Sequence, residues 1–290
     1  MPETSLARTP GVRGRSFVAA SRLSRLLFGA LLCASLTTLT GCTIFGDSAW
    51  NGVHASASLG YQEVALDGSI DTNTEVSPGV FVTTEFDLED NGGQDESQAA
   101  IYASAQVGIA PFELRASGFE YSNEASGVFN GEFLGTTFTG PVDTDFQLIA
   151  YKATLGFDLI NLERIRVGAM IGATVLDLDL AVTSSLVPGV EETLDEVVPA
   201  PVVGARVDVK VVDPIRIGGE LTLLPLDEVE DFDVSFVDWE VGVHFEPLPY
   251  LEIFGLYRNI HVEVDGEIDG SDAAVDLGIS GPVVGVAITF

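Results

Sequence analysis

Apolar and polar residues alternate through most of this chain with the two-residue period of a β-strand, not the 3.6-residue period of a helix. In residues 201–211 the odd positions hold Val203, Ala205, Val207, Val209 and Val211, and the even ones include Gly204, Arg206, Asp208 and Lys210. Residues 164–175 repeat the pattern. Ile165, Val167, Ala169, Ile171, Ala173 and Val175 alternate with Arg166, Gly168, Met170, Gly172 and Thr174. A third copy runs through residues 215–223, with Ile215, Ile217, Leu221 and Leu223 against Arg216, Glu220 and Thr222. Ten strands are predicted in all: residues 53–64, 99–109, 112–122, 144–158, 164–180, 201–211, 215–223, 232–245, 251–264 and 272–290.

The connections between these segments alternate in length. Tight turns are expected at Ala110-Pro111, Asn161-Leu162-Glu163, Asp213-Pro214 and Pro247-Leu248-Pro249, and long acidic loops at 65–98, 123–143, 181–200, 224–231 and 265–271. Short turns on one rim and long loops on the other are the pattern of an up-and-down membrane barrel, in which the apolar face meets lipid and the charged face lines the interior. The expected fold is therefore all-β: a single antiparallel transmembrane β-barrel of about ten strands, with eight and twelve as fallback counts. Short turns face the periplasm and long acidic loops face outward. An even count brings both chain ends to the short-turn rim. A soluble lipid-anchored β-sandwich or lipocalin-like barrel shares the periodicity and is the alternative. Within the first long connection, residues 76–90 are expected to form a short hairpin above the membrane.

Charge divides the chain differently. The whole sequence holds 13 Lys and Arg against 44 Asp and Glu, a net charge of −31. The first 25 residues reverse that balance, with Arg8, Arg13, Arg15, Arg22 and Arg25 against Glu3 alone, and an apolar run from Leu26 to Leu39 follows. The run is shorter than the ~20 apolar residues of a spanning helix, so it reads as a removable export signal. Arg22 and Arg25 are not adjacent, which favours the general secretory route over a twin-arginine one. Leu39-Thr40-Gly41-Cys42 closes the leader and resembles the lipobox of bacterial lipoproteins, implying lipidation at Cys42. The predicted organisation is a signal peptide at 1–41, a lipid-tethered linker at 42–52 and the barrel at 53–290. Cys33 falls in the discarded run, which leaves no thiol pair for a disulfide.

Removing the leader leaves 8 basic and 43 acidic residues, a net charge of −35. That field excludes nucleic acid as a partner and favours divalent cations. The eight basic residues, Arg115, Lys152, Arg164, Arg166, Arg206, Lys210, Arg216 and Arg258, all fall in predicted strands, and the acid runs between strands read as solvated loops.

The last eight residues, Val283 to Phe290, resemble the closing strand of bacterial outer-membrane barrels: Gly285, Ile288 and Phe290 fit the assembly signal, and Val283 replaces its usual polar residue. With the alternating strands, the resemblance is to small barrels of the outer-membrane protein A and W type. It implies the outer membrane of a Gram-negative-type bacterium, contact with outer-membrane lipid and recognition by the barrel-assembly machinery. Two aromatic girdles are expected, Phe112, Phe157, Phe245, Tyr250 and Phe290 beside the short turns and Tyr61, Tyr121, Phe146 and Phe232 near the long loops.

Inside the barrel, Arg115, Lys152, Arg166, Arg206, Lys210, Arg216 and Arg258 are expected to share a face with Glu113, Asp158, Asp208, Glu220, Asp238, Glu240 and Glu252. A set this balanced pairs across a narrow lumen filled by side chains. The implied role is structural or surface-interactive, with a small-solute channel as the alternative. His54 and His244 face inward near the periplasmic rim and His261 lies toward the loops on the other face. No Ser stands in a recognisable spacing to them, so the reading is non-enzymatic, with a barrel hydrolase or acyltransferase as the competing idea. Asp87, Glu89 and Asn91 before Gly92, and Asp265, Glu267 and Asp269 before Gly270, match the first half of a calcium loop. Each lacks the closing Glu, having Gln98 or Asp276 instead. Calcium is the only cofactor this composition suggests. Replacing Cys42 by Ala is expected to abolish metabolic labelling with palmitate while the protein stays in the outer-membrane fraction; release into the periplasm would favour the soluble alternative.

Overall fold

The computed structural model describes residues 53–290 apart from 78–79, 95–96, 135, 226–227, 230–231 and 269–270. The leader, Cys42 and the linker lie outside the described residues, as do Asp269 and the side chain of Phe232. The strands are β1 (Val53–Ser77), β2 (Val80–Asp87), β3 (Gln98–Ile109), β4 (Phe112–Phe133), β5 (Thr136–Asn161), β6 (Ile165–Ser184), β7 (Glu191–Val212), β8 (Ile215–Leu223), β9 (Glu228–Val229), β10 (Phe232–Leu248), β11 (Leu251–Ile268) and β12 (Ser271–Thr289). Ten of them close an antiparallel ring in the order β1, β3, β4, β5, β6, β7, β8, β10, β11, β12 and back to β1. β2 pairs with the upper part of β1, and β9 is a two-residue strand on β10.

Closure follows from the solvent. Hydrocarbon offers no partner to a backbone N–H or C=O, so a sheet at membrane depth has to return to its first strand. The ends meet at the short-turn rim, where Phe290 donates to the Ala55 carbonyl at 2.8 Å and Ala55 to the Phe290 carbonyl at 3.1 Å. All ten ring strands lie where the alternation places them, and most are longer; β8 keeps its expected bounds and β12 its expected length. The β4–β5 ladder runs unbroken from Phe112 opposite Phe157 to Phe133 opposite Thr136, and the β6–β7 ladder reaches Thr183 opposite Glu191. The long acidic connections are thus mainly continuations of the hairpins above the membrane. The hairpin expected at 76–90 belongs to β1 and β2, which pair from Ser77 opposite Val80 to Ser69 opposite Asp87.

Along each long strand the polarity of the two faces reverses. On β6 the outward residues are Ile171 and Ala173 at membrane depth and Asp179 higher up, while the inward ones change from Arg166 and Thr174 to Leu176, Leu180 and Val182. On β5, Leu155 and Phe157 point out and Lys152 and Asp158 in; above them Asp143 and Asp145 point out and Phe146 and Val142 in. The lower half is a membrane barrel with a charged lumen, and the upper half is built like a water-soluble barrel with an apolar core.

The reversal corrects one expected girdle. Phe112, Phe157, Phe245, Tyr250 and Phe290 are exposed at the lower rim as expected, and Tyr61 is exposed at the upper one. Tyr121 and Phe146 are fully buried in the upper core instead, with ring centroids 5.8 Å apart. Their place on the outer surface is taken by Trp239 and Tyr257, also 5.8 Å apart.

Two seams in the upper wall have no ladder among the described residues. Residues 88–94 fill the seam between β2 and β4: Asn91 donates to the Val128 carbonyl at 3.3 Å, and Gly93, at φ 74°, sits so close to the Ser126 carbonyl that no side chain fits. On the other seam β8 ends at Leu223, opposite Val203, so β7 above that point has β6 on one side only among the described residues. Lys210 donates its N–H to Arg164 on the β6 side. Even-numbered amides of β7 therefore face β6 and odd-numbered ones face the bare edge, where Pro199 and Pro201 have no N–H to offer.

Carboxylates crowd the outer surface nearby. Asp179 lies directly opposite Asp195, and the carboxyls of Asp177 and Asp179 are both held above the ordinary value, first by partial burial and then by repulsion from Asp195. A carboxyl raised in the folded state stabilises the fold only at pH below the unfolded carboxyl's pKa, and that contribution is lost as pH rises through the folded one. Asp179→Asn is accordingly expected to raise the urea midpoint at neutral pH, with the gain over the parent shrinking as pH is lowered through the carboxylate range.

Candidate functional site

Among the described residues the lumen is where opposite charges gather in quantity, and the register decides how they meet. In the lowest layer, Glu113 on β4 is held by Arg166 Nη2 at 2.9 Å, by Arg206 Nη1 and by His54 Nε2 at 2.9 Å. Asp158 on β5 accepts from Arg166 Nε at 2.8 Å and Arg206 Nη2 at 2.7 Å. Two carboxylates and two guanidiniums thus alternate in a closed square. Beside it, Arg216 reaches Asp208 at 2.7 Å and Glu252 at 2.8 Å, and His244 Nδ1 meets Glu252 at 2.7 Å.

Above these, Asp238 on β10 takes both Arg258 Nε at 3.0 Å and Nη2 at 2.8 Å, and also Lys152 Nζ at 2.8 Å. Lys152 continues to Glu220 at 2.6 Å, and Arg115 joins Glu220 at 2.7 Å to Glu240 at 3.4 Å. The strands carrying these partners are far apart around the ring: β4 to β8, and β5 to β10. Each such pair therefore crosses the bore.

Burial makes this layer a plug. Arg258 is 1 % exposed, Asp238 0 % and Lys152 4 %. Charges desolvated to this degree are tolerated only when each has a partner in good geometry. The Arg258 guanidinium also lies 5.5 Å from the Phe119 ring centroid, and above that point the interior is mainly apolar, with Gln94 and Thr144 as a small buried polar group. Phe86, Phe129, Phe133 and Phe138 pack there, Phe86 meeting Phe129 edge-on at 4.9 Å, together with Leu148, Leu180, Ile260 and Leu277. Val283, the departure from the closing-strand signal, is fully buried against Tyr102, Phe254, Leu256 and Ala287.

Of the seven cations expected in the lumen, six are there. Lys210 instead sits at the periplasmic turn, bridging Asp213 at 2.5 Å and largely solvated, because the turn begins three residues later. Arg164 lies in the β5–β6 turn and not in a strand. His54 and His244 face inward near the lower rim, and His261 is on the outer surface above the membrane, as expected.

The two calcium-type segments do not converge on a common centre. In the first, Asp87 Oδ1 accepts from the Asp90 N–H at 2.7 Å and Asn91 Oδ1 from the Asp87 N–H at 3.0 Å, so these oxygens hold a turn. Glu89 lies in the same turn. In the second, Asp265 and Glu267 belong to β11, an extended strand rather than a coiled loop. The grouping sequence reasoning missed is His261, Glu263 and Asp276, brought together by the β11–β12 register.

The fold has known counterparts. The outer-membrane protease OmpT from Escherichia coli superposes with a TM-score of 0.52 at 11 % identity, over 82 % of this chain and 97 % of that one. The attachment invasion locus protein Ail of Yersinia pestis aligns over 82 % of this chain and 99 % of its own, at 12 % identity and a TM-score of 0.33. Neisserial surface protein A aligns over 83 % and 98 %, at 12 % identity and 0.31. No protein-family model and no curated protein sequence matches the chain. The chain has the fold of an outer-membrane β-barrel.

Removing one partner from the buried layer has a definite cost. Asp238→Asn leaves Lys152 and Arg258 facing a neutral amide, and the expected destabilisation is about 3–5 kcal/mol, read from urea unfolding of the protein refolded in lipid vesicles.

Proposed function

We propose that this barrel is a sealed membrane base for an extracellular structure, with a structural or surface-interaction role and no transport path through its lumen. The observation that carries this reading is the pair of stacked layers: ion pairs crossing the bore at membrane depth, capped by a packed apolar core. A conducting pore needs a continuous polar path, and the layer of buried phenylalanines interrupts it.

The outer half supplies what a partner would meet. All eight Lys and Arg after Cys42 lie in the lumen or the periplasmic turns, so the hairpins above the membrane carry none. Their outward faces are dominated by Asp and Glu, a surface suited to cationic partners and divalent ions. The hairpins are paired strands packed on a common core, which preorganises that surface.

A non-enzymatic reading is supported by the histidines at the lumen, each of which is engaged by a buried carboxylate, Glu113 or Glu252. Calcium remains a proposal for the Asp87 and Asp265 segments only through rearrangement of their present bonds. Both ends of the ring lie at the periplasmic rim, which is where a linker from a lipid on Cys42 has to arrive. The barrel would then be held twice, by its own belt and by that lipid.

Incorporated into planar bilayers, the purified protein is expected to give no discrete conductance steps, and combined Arg115→Ala and Lys152→Ala replacement is not expected to open one, because the apolar layer above remains. Regular steps from the parent protein would establish the channel reading instead.

A further inference from the structure

The outer face of β11 and β12 holds the extracellular half's one imidazole in an arrangement unlike the surrounding acid-rich surface. His261 and Glu263 are two residues apart on β11 and so point the same way, and Asp276 on β12 stands opposite Glu263 in register. One ligand atom from each of the three lies within 4.8 Å of the others. His261 Nε2 is 3.2 Å from Glu263 Oε1, and Nδ1 is 3.7 Å from Asp276 Oδ1.

These separations match a coordination sphere. Tetrahedral zinc with nitrogen at about 2.0–2.1 Å and carboxylate oxygen at about 2.0–2.2 Å keeps its donors about 3.4 Å apart. The sheet fixes the three backbones, so a modest rotation of side chains suffices to aim one nitrogen and two oxygens at a common point.

A second feature opens the same spot. Gly278 is the residue opposite His261 on β12, and it is opposite Asp67 on β1 on its other side. With no side chain at 278, a slot is left between them, and the Asp67 carboxylate lies 4.0 Å from where a Cβ would stand. A fourth oxygen donor therefore borders the cluster, across a gap that any larger residue would fill. No Lys or Arg occurs in the hairpins above the membrane to compete for these carboxylates.

We propose that His261, Glu263 and Asp276, with Asp67 at the border, form an extracellular site for a zinc-class divalent cation. The imidazole decides the class: a mixed nitrogen and carboxylate set suits zinc or copper, whereas calcium and magnesium take oxygen alone. The site needs no passage through the lumen, and it shares with the second calcium-type segment only Asp276, that segment's twelfth position.

Zinc titrated by calorimetry into the full-length protein in detergent at neutral pH is expected to bind one ion per chain, with calcium at equal concentration failing to displace it. His261→Ala should weaken that binding at least tenfold, and Asp276→Asn should weaken it as well. Gly278→Val should do the same while leaving every donor in place. Copper substituted at the site should show nitrogen coupling in its electron paramagnetic resonance spectrum that disappears in His261→Ala. Retention of the faster-migrating unboiled gel form in each variant verifies that the barrel is folded. Zinc binding unchanged by His261→Ala, or no binding by the parent, would overturn the site and leave the cluster as an ordinary surface contact of imidazole and carboxylates.

Discussion

Everything in this molecule depends on the requirement that a backbone in hydrocarbon satisfies its own hydrogen bonds. The ring of ten strands meets that requirement, and once it is closed the pairing register is no longer free. The register alone places Arg115 across from Glu220 and Lys152 across from Asp238. It also brings Glu113, Asp158, Arg166 and Arg206 into a square. Apart from Asp158 with Arg166, which meet across one hairpin, these contacts are distant in sequence, and each follows from which residues the ladders hold at the same height.

The ion pairs are better seen as a way of filling the bore than as a source of stability. Taking so many charges out of water is expensive, and an apolar core of equal volume is often as stable or more so. The same lumen shows both solutions, charge below and phenylalanine above. What the charged layer contributes is discrimination: a shifted register would leave buried charges unpaired, whereas an apolar layer would tolerate many packings. The boundary between the two falls where Arg258 lies beside the Phe119 ring.

Much of this was legible in the chain. The ten strands, the short turns and the set of lumen charges follow from period and spacing, because one apolar face and one charged face repeat from strand to strand. The upper half was not, for a physical reason: a period of two says that faces differ, and not which of them is inside. Period alone therefore predicts a girdle at Tyr121 and Phe146, which are core, and a loop over residues 123–143, which form a hairpin. Acidic residues suggested solvated loops, but an outward carboxylate on a strand above the membrane is equally solvated. The grouping of His261 with Asp276 escaped notice because the two meet only through the β11–β12 register, and a pattern within one segment is blind to it.

The prolines on the bare edge of β7 bear on how these molecules live together. An unpaired strand edge standing clear of the bilayer is an invitation to its neighbours, and in a membrane crowded with copies held upright at a common depth the invitation is repeated side by side. Pro199 and Pro201 remove two successive donors that an incoming strand would need, and Asp195 adds charge beside them. The wall can thus stay open at that seam without becoming the seed of a two-dimensional fibre, and the protein keeps its individuality at high surface density.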